Sequence, residues 1–146
     1  MKVYLDTCSL QRPLDSKTQI RIILEAESVL GILALCEQGA VDLIASDALV
    51  FEVERNPNLA RQGYALEVLA QAGAFVELDK QVEKRARELH LRGIKPLDAL
   101  HLASAEAAGA DYFCTCDDEL LRKARSLEDL QTKVASPLEL IAEVER

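Results

Sequence analysis

The 146-residue chain is the size of one domain and carries a net charge of −8, from 17 basic and 25 acidic residues. Hydrophobic residues make up 49% and charged residues 29%, a balance that excludes a disordered tail and a membrane protein. The negative charge argues against a general nucleic-acid coat protein, but not against a metal-dependent nuclease, because a bound cation reverses the local field. We therefore expect a single globular domain over residues 1–146.

We expect no signal peptide at the amino terminus. Val3–Leu5 is followed at once by Asp6, whereas a signal peptide needs roughly 7 to 15 apolar residues. No other run approaches the roughly 20 apolar residues of a membrane span, so we expect a cytoplasmic protein with no membrane association. In a reducing compartment we expect four free thiols that mostly fill small buried positions. They are Cys8, Cys36, Cys114 and Cys116.

The first half of the chain alternates short apolar runs with amphipathic stretches that end at glycine or proline signals. We predict a turn region around Pro13 and Asp15 between the first strand and the first helix. Either Ser46 or Asp47 is the predicted cap of the second helix. In chain order, the predicted elements are a strand at 2–5, a helix at 18–38, a strand at 41–45, a helix from about 47 to 54 and a helix at 58–72.

The second half repeats the alternation, with Asp79 capping one helix and Pro96 opening the next. Gly93 and Gly109 stand where left-handed helix ends are common. In chain order, the predicted elements are a strand at 75–78, helices at 80–91 and 96–108, a strand at 111–115, a helix at 119–124, a strand at 133–135 and a helix from 137 onward. Strands that alternate with helices predict an α/β fold with a parallel sheet covered on both faces.

Four acidic residues lie where such a sheet binds its ligands, beyond the carboxyl ends of the strands. Asp6 follows the first strand, and Asp117 follows the fourth, with Thr115 leading into the turn. Asp98 lies in the first turn of a helix, and Glu52 lies on the helix after the second strand. Each acid taken singly is more simply a cap, a turn former or a solvated charge. Together they would repel one another, and a hard cation is the usual reason for such a cluster.

These residues resemble the four acidic positions of the PIN domain family. The most specific motifs are Asp-Ala-x-His-x-Ala-x-Ala, beginning at Asp98, and Thr-x-Asp, ending at Asp117. Glu54 lies two residues beyond Glu52 on the same helix, and we favour Glu52 because it follows Ser46 at the interval usual in the family. The matching segments are Val3–Thr7, Ser46–Glu52, Leu97–Ala105 and Phe113–Asp117.

The resemblance implies a three-layer α/β/α Rossmann-like sandwich with a short parallel sheet. It also implies Mg²⁺- or Mn²⁺-dependent hydrolysis of phosphodiester bonds, most often in RNA. Many small members are toxins of toxin-antitoxin pairs, similar to the VapC type, and many form homodimers. We therefore expect an RNA substrate, an antitoxin protein and a second copy of the chain as partners. The segment around Ser9–Leu14, with Arg12, departs from the toxin pattern.

The resemblance also suggests a role for each site residue. Carboxylate oxygens suit Mg²⁺ or Mn²⁺, which lower the pKa of a coordinated water and stabilise charge on a phosphate. We expect Asp6 and Asp98 to ligate the principal ion and Asp117 to bind it directly or through water. Glu52 would orient water or a second ion, and Thr115 would hydrogen-bond a water, a carboxylate or a phosphate.

Three alternatives stay open at this stage. A PIN module with weak activity would act by binding a partner, and retained acids do not distinguish it from a nuclease. A phosphoacceptor domain ranks lower because no predicted strand ends in lysine. A haloacid-dehalogenase-like phosphatase would place a second aspartate at the position of Cys8.

His101 shares a helix face with Asp98, but we interpret it as a core histidine.

Overall fold

The computed structural model describes residues 1–145 and contains one five-stranded, wholly parallel sheet with the strand order β3-β2-β1-β4-β5. The predicted α/β class with a parallel sheet is confirmed. Each predicted strand is present, although β3 begins one residue earlier and ends two residues earlier than expected. The strands are β1 (Lys2–Leu5), β2 (Asp42–Ser46), β3 (Ala74–Val76), β4 (Tyr112–Cys114) and β5 (Lys133–Ala135).

Helices connect the strands, and two of them begin at the predicted residues Asp79 and Pro96. The Ser46 hydroxyl accepts a hydrogen bond from the Leu49 N–H, which selects Ser46 rather than Asp47 as the cap. Gly109 follows the end of α6 with a φ of 70°, in the left-handed region that only glycine adopts readily. The helices are α1 (Thr7–Gln11), α2 (Ile20–Glu37), α3 (Asp47–Glu54), α4 (Leu59–Ala70), α5 (Lys80–Leu91), α6 (Pro96–Ala107), α7 (Asp118–Arg125) and α8 (Pro137–Val144).

The sequence-based prediction was wrong between β1 and α2. This segment forms helix α1 and a 3₁₀ turn at Arg12–Leu14, where only a turn region was expected. The Asp6 carboxylate accepts a hydrogen bond from the Ser9 N–H at 3.0 Å and thereby caps α1. Leu10 and Gln11 are buried, so the short helix is held by packing rather than by helix propensity.

The chain reverses direction across the sheet at β1. It moves from β1 through β2 to β3 on one side, then crosses to β4 and β5 on the other. Helices cover both faces of the sheet, and two pairs of them pack together, α2 against α8 and α5 against α6. The result is the expected three-layer sandwich. The reversal makes the carboxyl ends of β1 and β4 a topological switch point, where ligands of such sheets bind.

The core lies along the two central strands. Tyr4 of β1 stacks on Phe113 of β4 with ring centroids 5.4 Å apart, and both are fully buried. Cys114 and Cys116 are buried, and all four cysteines are free thiols, as predicted. None of the helices within residues 1–145 has both the length and the hydropathy required for crossing a membrane.

Candidate active site at the carboxyl edge of the sheet

The switch point brings Asp6 and the residues after β4 together. Leu5 pairs with Cys114, and the Asp6 N–H continues this ladder by donating to the Cys114 carbonyl at 3.1 Å. The Thr115 hydroxyl bonds the Asp6 carboxylate and accepts from the Asp117 N–H at 3.1 Å. Thr115 is 1% exposed, so its contacts with Asp6 and Asp117 lie inside the protein.

Asp6 is a buried carboxylate that has only neutral partners. Its side chain accepts from the Ser9 N–H and the Cys8 thiol, each at 3.0 Å, and from Thr115. Burial raises the pKa of Asp6 despite these hydrogen bonds, because desolvation penalises the charged form more than the donors favour it. No lysine or arginine within residues 1–145 forms an ion pair with Asp6. The negative charge is therefore left without a cation.

Asp98 lies in the first turn of α6 and is half-buried. Within residues 1–145 it accepts no hydrogen bond and forms no ion pair. Burial and the neighbouring Asp6 charge raise the pKa of Asp98 to about 6, and the charges of Asp117 and Glu52 add to this while His101 opposes it. The carboxylate of Asp98 therefore lies within the electrostatic field of all three other acids.

Glu52, rather than Glu54, faces this edge. Its Oε1 accepts a short hydrogen bond from the Thr7 hydroxyl and contacts the His101 Nε2 at 2.9 Å. Burial alone would raise the pKa of Glu52, but the hydrogen bonds from His101 and Thr7 outweigh it and bring the pKa below its usual range. Two residues correspond to about 200° around a helix, so Glu54 points elsewhere and is exposed.

His101 is buried, as interpreted from the sequence, but one of its partners is the candidate acid Glu52. Its Nδ1 lies 2.7 Å from the Tyr4 hydroxyl, which lies 2.7 Å from the Ser46 hydroxyl. The interpretation as a core histidine therefore missed this contact. The spacing of three residues between Asp98 and His101 indicated that His101 approaches the acids, because it places both side chains on one face of α6.

Asp117 is exposed and caps α7, with its Oδ1 accepting from the Glu119 N–H at 2.9 Å and the Leu120 N–H at 3.2 Å. The acids that follow it have cationic partners. Asp118 pairs with Arg21 at 2.7 Å, and Glu119 pairs with Lys123 at 2.9 Å. Asp117 itself lines a small cleft together with Asp98, Lys95 and Lys123.

The donor chemistry at this edge fits a hard divalent cation, although a closed metal cage is not formed. No group of three or more His, Cys, Asp or Glu side chains within residues 1–145 is arranged to hold an ion by itself. Mg²⁺ usually retains several waters and binds through only one or two carboxylates, so a complete protein cage is not required. Asp98 is the carboxylate most available to such an ion, because within residues 1–145 it has neither a hydrogen-bond donor nor a cationic partner.

Comparison with protein families places most of the chain in one group. The family described as PIN domain matches residues 3–126, which includes all four acids and Thr115. No curated protein matches the sequence significantly.

Solved structures with the same fold have low sequence identity to the chain. VapBC2 from Rickettsia felis, described as bound to a DNA fragment from its promoter, has a TM-score of 0.60 and 12% identity, with 93% of this chain and 98% of that chain covered. VapC20 from Mycobacterium tuberculosis, described as a sarcin-ricin loop cleaving toxin, has a TM-score of 0.56 and 15% identity, covering 81% and 92%. PAE2754 from Pyrobaculum aerophilum has a TM-score of 0.57 and 18% identity, covering 99% and 98%.

Proposed function

This chain belongs to the PIN domain family, and we propose that it is a metal-dependent ribonuclease that hydrolyses phosphodiester bonds with Mg²⁺ or Mn²⁺. The observation that carries the proposal is the state of Asp98. This half-buried carboxylate has no cation or donor of its own within residues 1–145, and its pKa is raised to about 6 by burial and by the charges of the other acids. A divalent cation at this edge would relieve that repulsion.

The proposed roles of the side chains follow from their surroundings. Asp6 and Asp98 would hold the principal ion, and Asp117 would bind it directly or through water. Glu52, held by two donors, would orient a water molecule, and Thr115 would keep Asp6 and the Asp117 backbone in register. When bound, the ion would stabilise charge on the scissile phosphate and make hydroxide available at neutral pH.

RNA as the substrate is supported by the family and by the description of VapC20 as a toxin that cleaves the sarcin-ricin loop. The chain carries a net charge of −8, so approach of a polyanion requires local positive charge. Lys95 and Lys123 line the cleft beside Asp98 and Asp117 and would meet the phosphates that flank the scissile bond. We propose that the enzyme is an endoribonuclease of the cytoplasm.

We further propose that the chain is the toxin of a toxin-antitoxin pair and forms a homodimer. The support is the likeness of the fold to VapBC2 and VapC20 and an apolar surface on α2. On that helix, Ile20 is 76% exposed, Leu24 43% and Leu30 50%, and such side chains favour burial against a partner. We assign this α2 surface to the antitoxin. Light scattering of the purified chain tests the homodimer, since a monomer at micromolar concentration would rule it out.

The nuclease proposal is tested with Asp6→Asn, which removes a ligand charge while keeping the size of the side chain. We expect Mn²⁺-dependent cleavage of single-stranded RNA to fall by at least about 100-fold, because an ion ligand is lost. Asp118→Asn is the matched control, because Asp118 is a neighbouring surface acid that binds Arg21 instead. Equal cleavage by Asp6→Asn and wild type would reject the assignment.

The alternative is a PIN module with weak activity that acts by binding a partner. The exposed apolar side chains on α2 favour it, because their role does not need turnover. A wild-type protein that shows no Mn²⁺-dependent cleavage above the Asp6→Asn background, yet binds a partner through α2, would select this alternative. Leu24→Glu at the α2 surface should then abolish partner binding.

A further inference from the structure

Four buried or half-buried polar side chains form a continuous hydrogen-bonded chain from the cap of α3 to the acidic edge. Ser46 Oγ lies 2.7 Å from the Tyr4 hydroxyl, which lies 2.7 Å from His101 Nδ1. His101 Nε2 lies 2.9 Å from Glu52 Oε1. Ser46, Tyr4 and His101 are each at most 1% exposed, so water does not compete for these contacts. This hydrogen-bonded chain joins residues of β1, β2, α3 and α6.

The protons of these side chains assign a donor-to-acceptor direction to the hydrogen-bonded chain. Ser46 Oγ already accepts from the Leu49 N–H at 3.1 Å, and within residues 1–145 the only acceptor in reach of its own proton is the Tyr4 oxygen. Tyr4 then donates to His101 Nδ1, which leaves the proton of the ring on Nε2, where it faces the Glu52 carboxylate. The reverse direction would leave the proton of the buried Ser46 hydroxyl without an acceptor, which is unfavourable.

We propose that His101 is a positioning residue that holds Glu52 for catalysis, with its Nε2–H tautomer set by Tyr4 and Ser46. The inference rests on the proposed nuclease function. It goes beyond the acidic cluster, because it assigns roles to three neutral residues that do not contact the ion or the substrate. Ser46 thus serves twice, as the cap of the helix that carries Glu52 and as the start of the chain that orients Glu52.

These hydrogen bonds hold the Glu52 carboxylate in one orientation. Glu52 is half-buried on the surface of α3, and a glutamate that is free to rotate loses side-chain entropy each time it takes one position. Thr7 and His101 both donate to Oε1, which fixes this oxygen and leaves Oε2 for the site. Loss of such supporting partners typically reduces activity or metal affinity by about 10- to 100-fold.

The first test measures the tautomer directly and does not depend on activity. The chain contains two histidines, and His90 provides an internal reference. Its Nδ1 lies 2.8 Å from the Ile94 carbonyl, which only accepts, so His90 carries its proton on Nδ1. Long-range ¹H–¹⁵N NMR at pH 8 should show opposite tautomers, Nδ1–H for His90 and Nε2–H for His101. His90→Gln assigns the signals. A His101 with Nδ1–H, or with both nitrogens protonated, would overturn the proposal.

The second test separates positioning from simple structural support. Tyr4→Phe keeps the ring that stacks on Phe113 but removes the donor to His101. We expect about a 10-fold loss in kcat with little change in KM, and about a 100-fold loss for His101→Leu. His101→Gln retains an N–H donor on a flexible side chain and should recover part of the activity. A loss that appears in KM alone, or equal losses for His101→Gln and His101→Leu, would contradict a positioning role.

The third test repeats the Tyr4 and His101 variants in a Glu52→Gln background and asks whether these residues act through Glu52. If Tyr4 and His101 act through Glu52, their losses shrink in that background, because the residue they position is already altered. Undiminished losses would show that they act on folding instead and would overturn the proposal. Failure of the nuclease function itself gives a different result, since wild type would then lack Mn²⁺-dependent cleavage while the NMR tautomers of His101 and His90 still report on the chain of hydrogen bonds.

Discussion

Two acidic regions of this molecule each contain a buried carboxylate, but the carboxylates are stabilised in opposite ways. Glu25 of α2 is 1% exposed, and Arg12 binds it through Nε at 3.0 Å and Nη2 at 2.7 Å, with Arg21 3.4 Å away. Asp6 is 4% exposed and receives only neutral donors, and Asp98 receives none within residues 1–145. Within residues 1–145 the protein therefore supplies arginines for Glu25 and none for Asp6 or Asp98.

Asp15, which shares Arg12 with Glu25, and Asp98 differ in pKa in the corresponding way. At Asp15, burial is outweighed by the hydrogen bonds of Arg12 and Arg61, and the pKa lies below its usual range. At Asp98, burial and the charge of Asp6 act together, and the pKa is raised to about 6. Unpaired acids at the carboxyl edge lower the stability of the metal-free fold, a cost that functional sites often carry. Arginines compensate the buried charge in the Glu25 region, whereas under the proposed function a bound cation would compensate the acidic edge.

The largest stability effect should come from unpairing Glu25. Arg12→Met leaves a buried charge with weaker compensation, and we expect a loss of about 3 kcal/mol in the free energy of unfolding, measured by urea denaturation. Arg92→Met is the matched control, because the Arg92–Asp129 pair is exposed and should contribute less than about 1 kcal/mol. Replacing Arg12 and Glu25 together with methionine should recover much of the loss. If Arg12→Met were as stable as wild type, the contrast between the two acidic regions would be wrong.

A slightly smaller effect is expected when the acidic edge receives its cation. Mn²⁺ at about 100 times its dissociation constant should raise the free energy of unfolding by about 2.7 kcal/mol, because it binds the folded state alone. Thermal melting with and without Mn²⁺ measures the effect. Asp98→Asn should lose most of the increase, while Asp118→Asn should retain it. The same increase in Asp98→Asn would mean that the ion binds elsewhere.

Without metal, Asp98→Asn should itself stabilise the fold at neutral pH. The folded pKa of Asp98, about 6, is above its ordinary value of 3.8, so its contribution to stability is full at low pH and is lost as the pH rises through about 6. We expect Asp98→Asn to be about 1 kcal/mol more stable than wild type at pH 7.5, allowing for solvent screening. The difference should vanish near pH 4. Urea melts at both pH values measure it, and a difference that grows at pH 4 would contradict the sign.

The smallest effects should come from the glutamate two residues beyond Glu52. Glu54→Gln should change stability by less than about 0.5 kcal/mol and leave RNA cleavage unchanged, because Glu54 is exposed and points away from the acids. Glu52→Gln should lower cleavage, because its carboxylate has donors from Thr7 and His101. Cleavage rates of the two variants decide between these neighbours, and equal rates would remove Glu52 from the site.

Most of the fold could be predicted from local signals. Asp79 caps α5 through the Val82 N–H at 2.8 Å, and Pro96 opens α6, both as predicted. The missed helix α1 shows the limit of such signals. Helix α1 is only five residues long and begins with the weak helix formers Thr7, Cys8 and Ser9, so it forms because Asp6 caps it and Leu10 is buried. Pairing of Ile44 with Ala74 likewise set the register of β3, which its own residues did not define.

The sequence by itself determined the alternation of strands and helices and some helix starts, such as Asp79 and Pro96, and it predicted the four acidic positions, because these depend on residue type and short spacing. Tertiary structure alone decided that Glu52 faces the acids while Glu54 does not, and that His101 contacts Glu52. It also decided that arginines reach Glu25, while none within residues 1–145 reaches Asp98. Charge compensation and hydrogen bonding depend on distances of a few ångströms between residues far apart in the chain, and only the packing of α1, α3 and α6 around the switch point sets those distances.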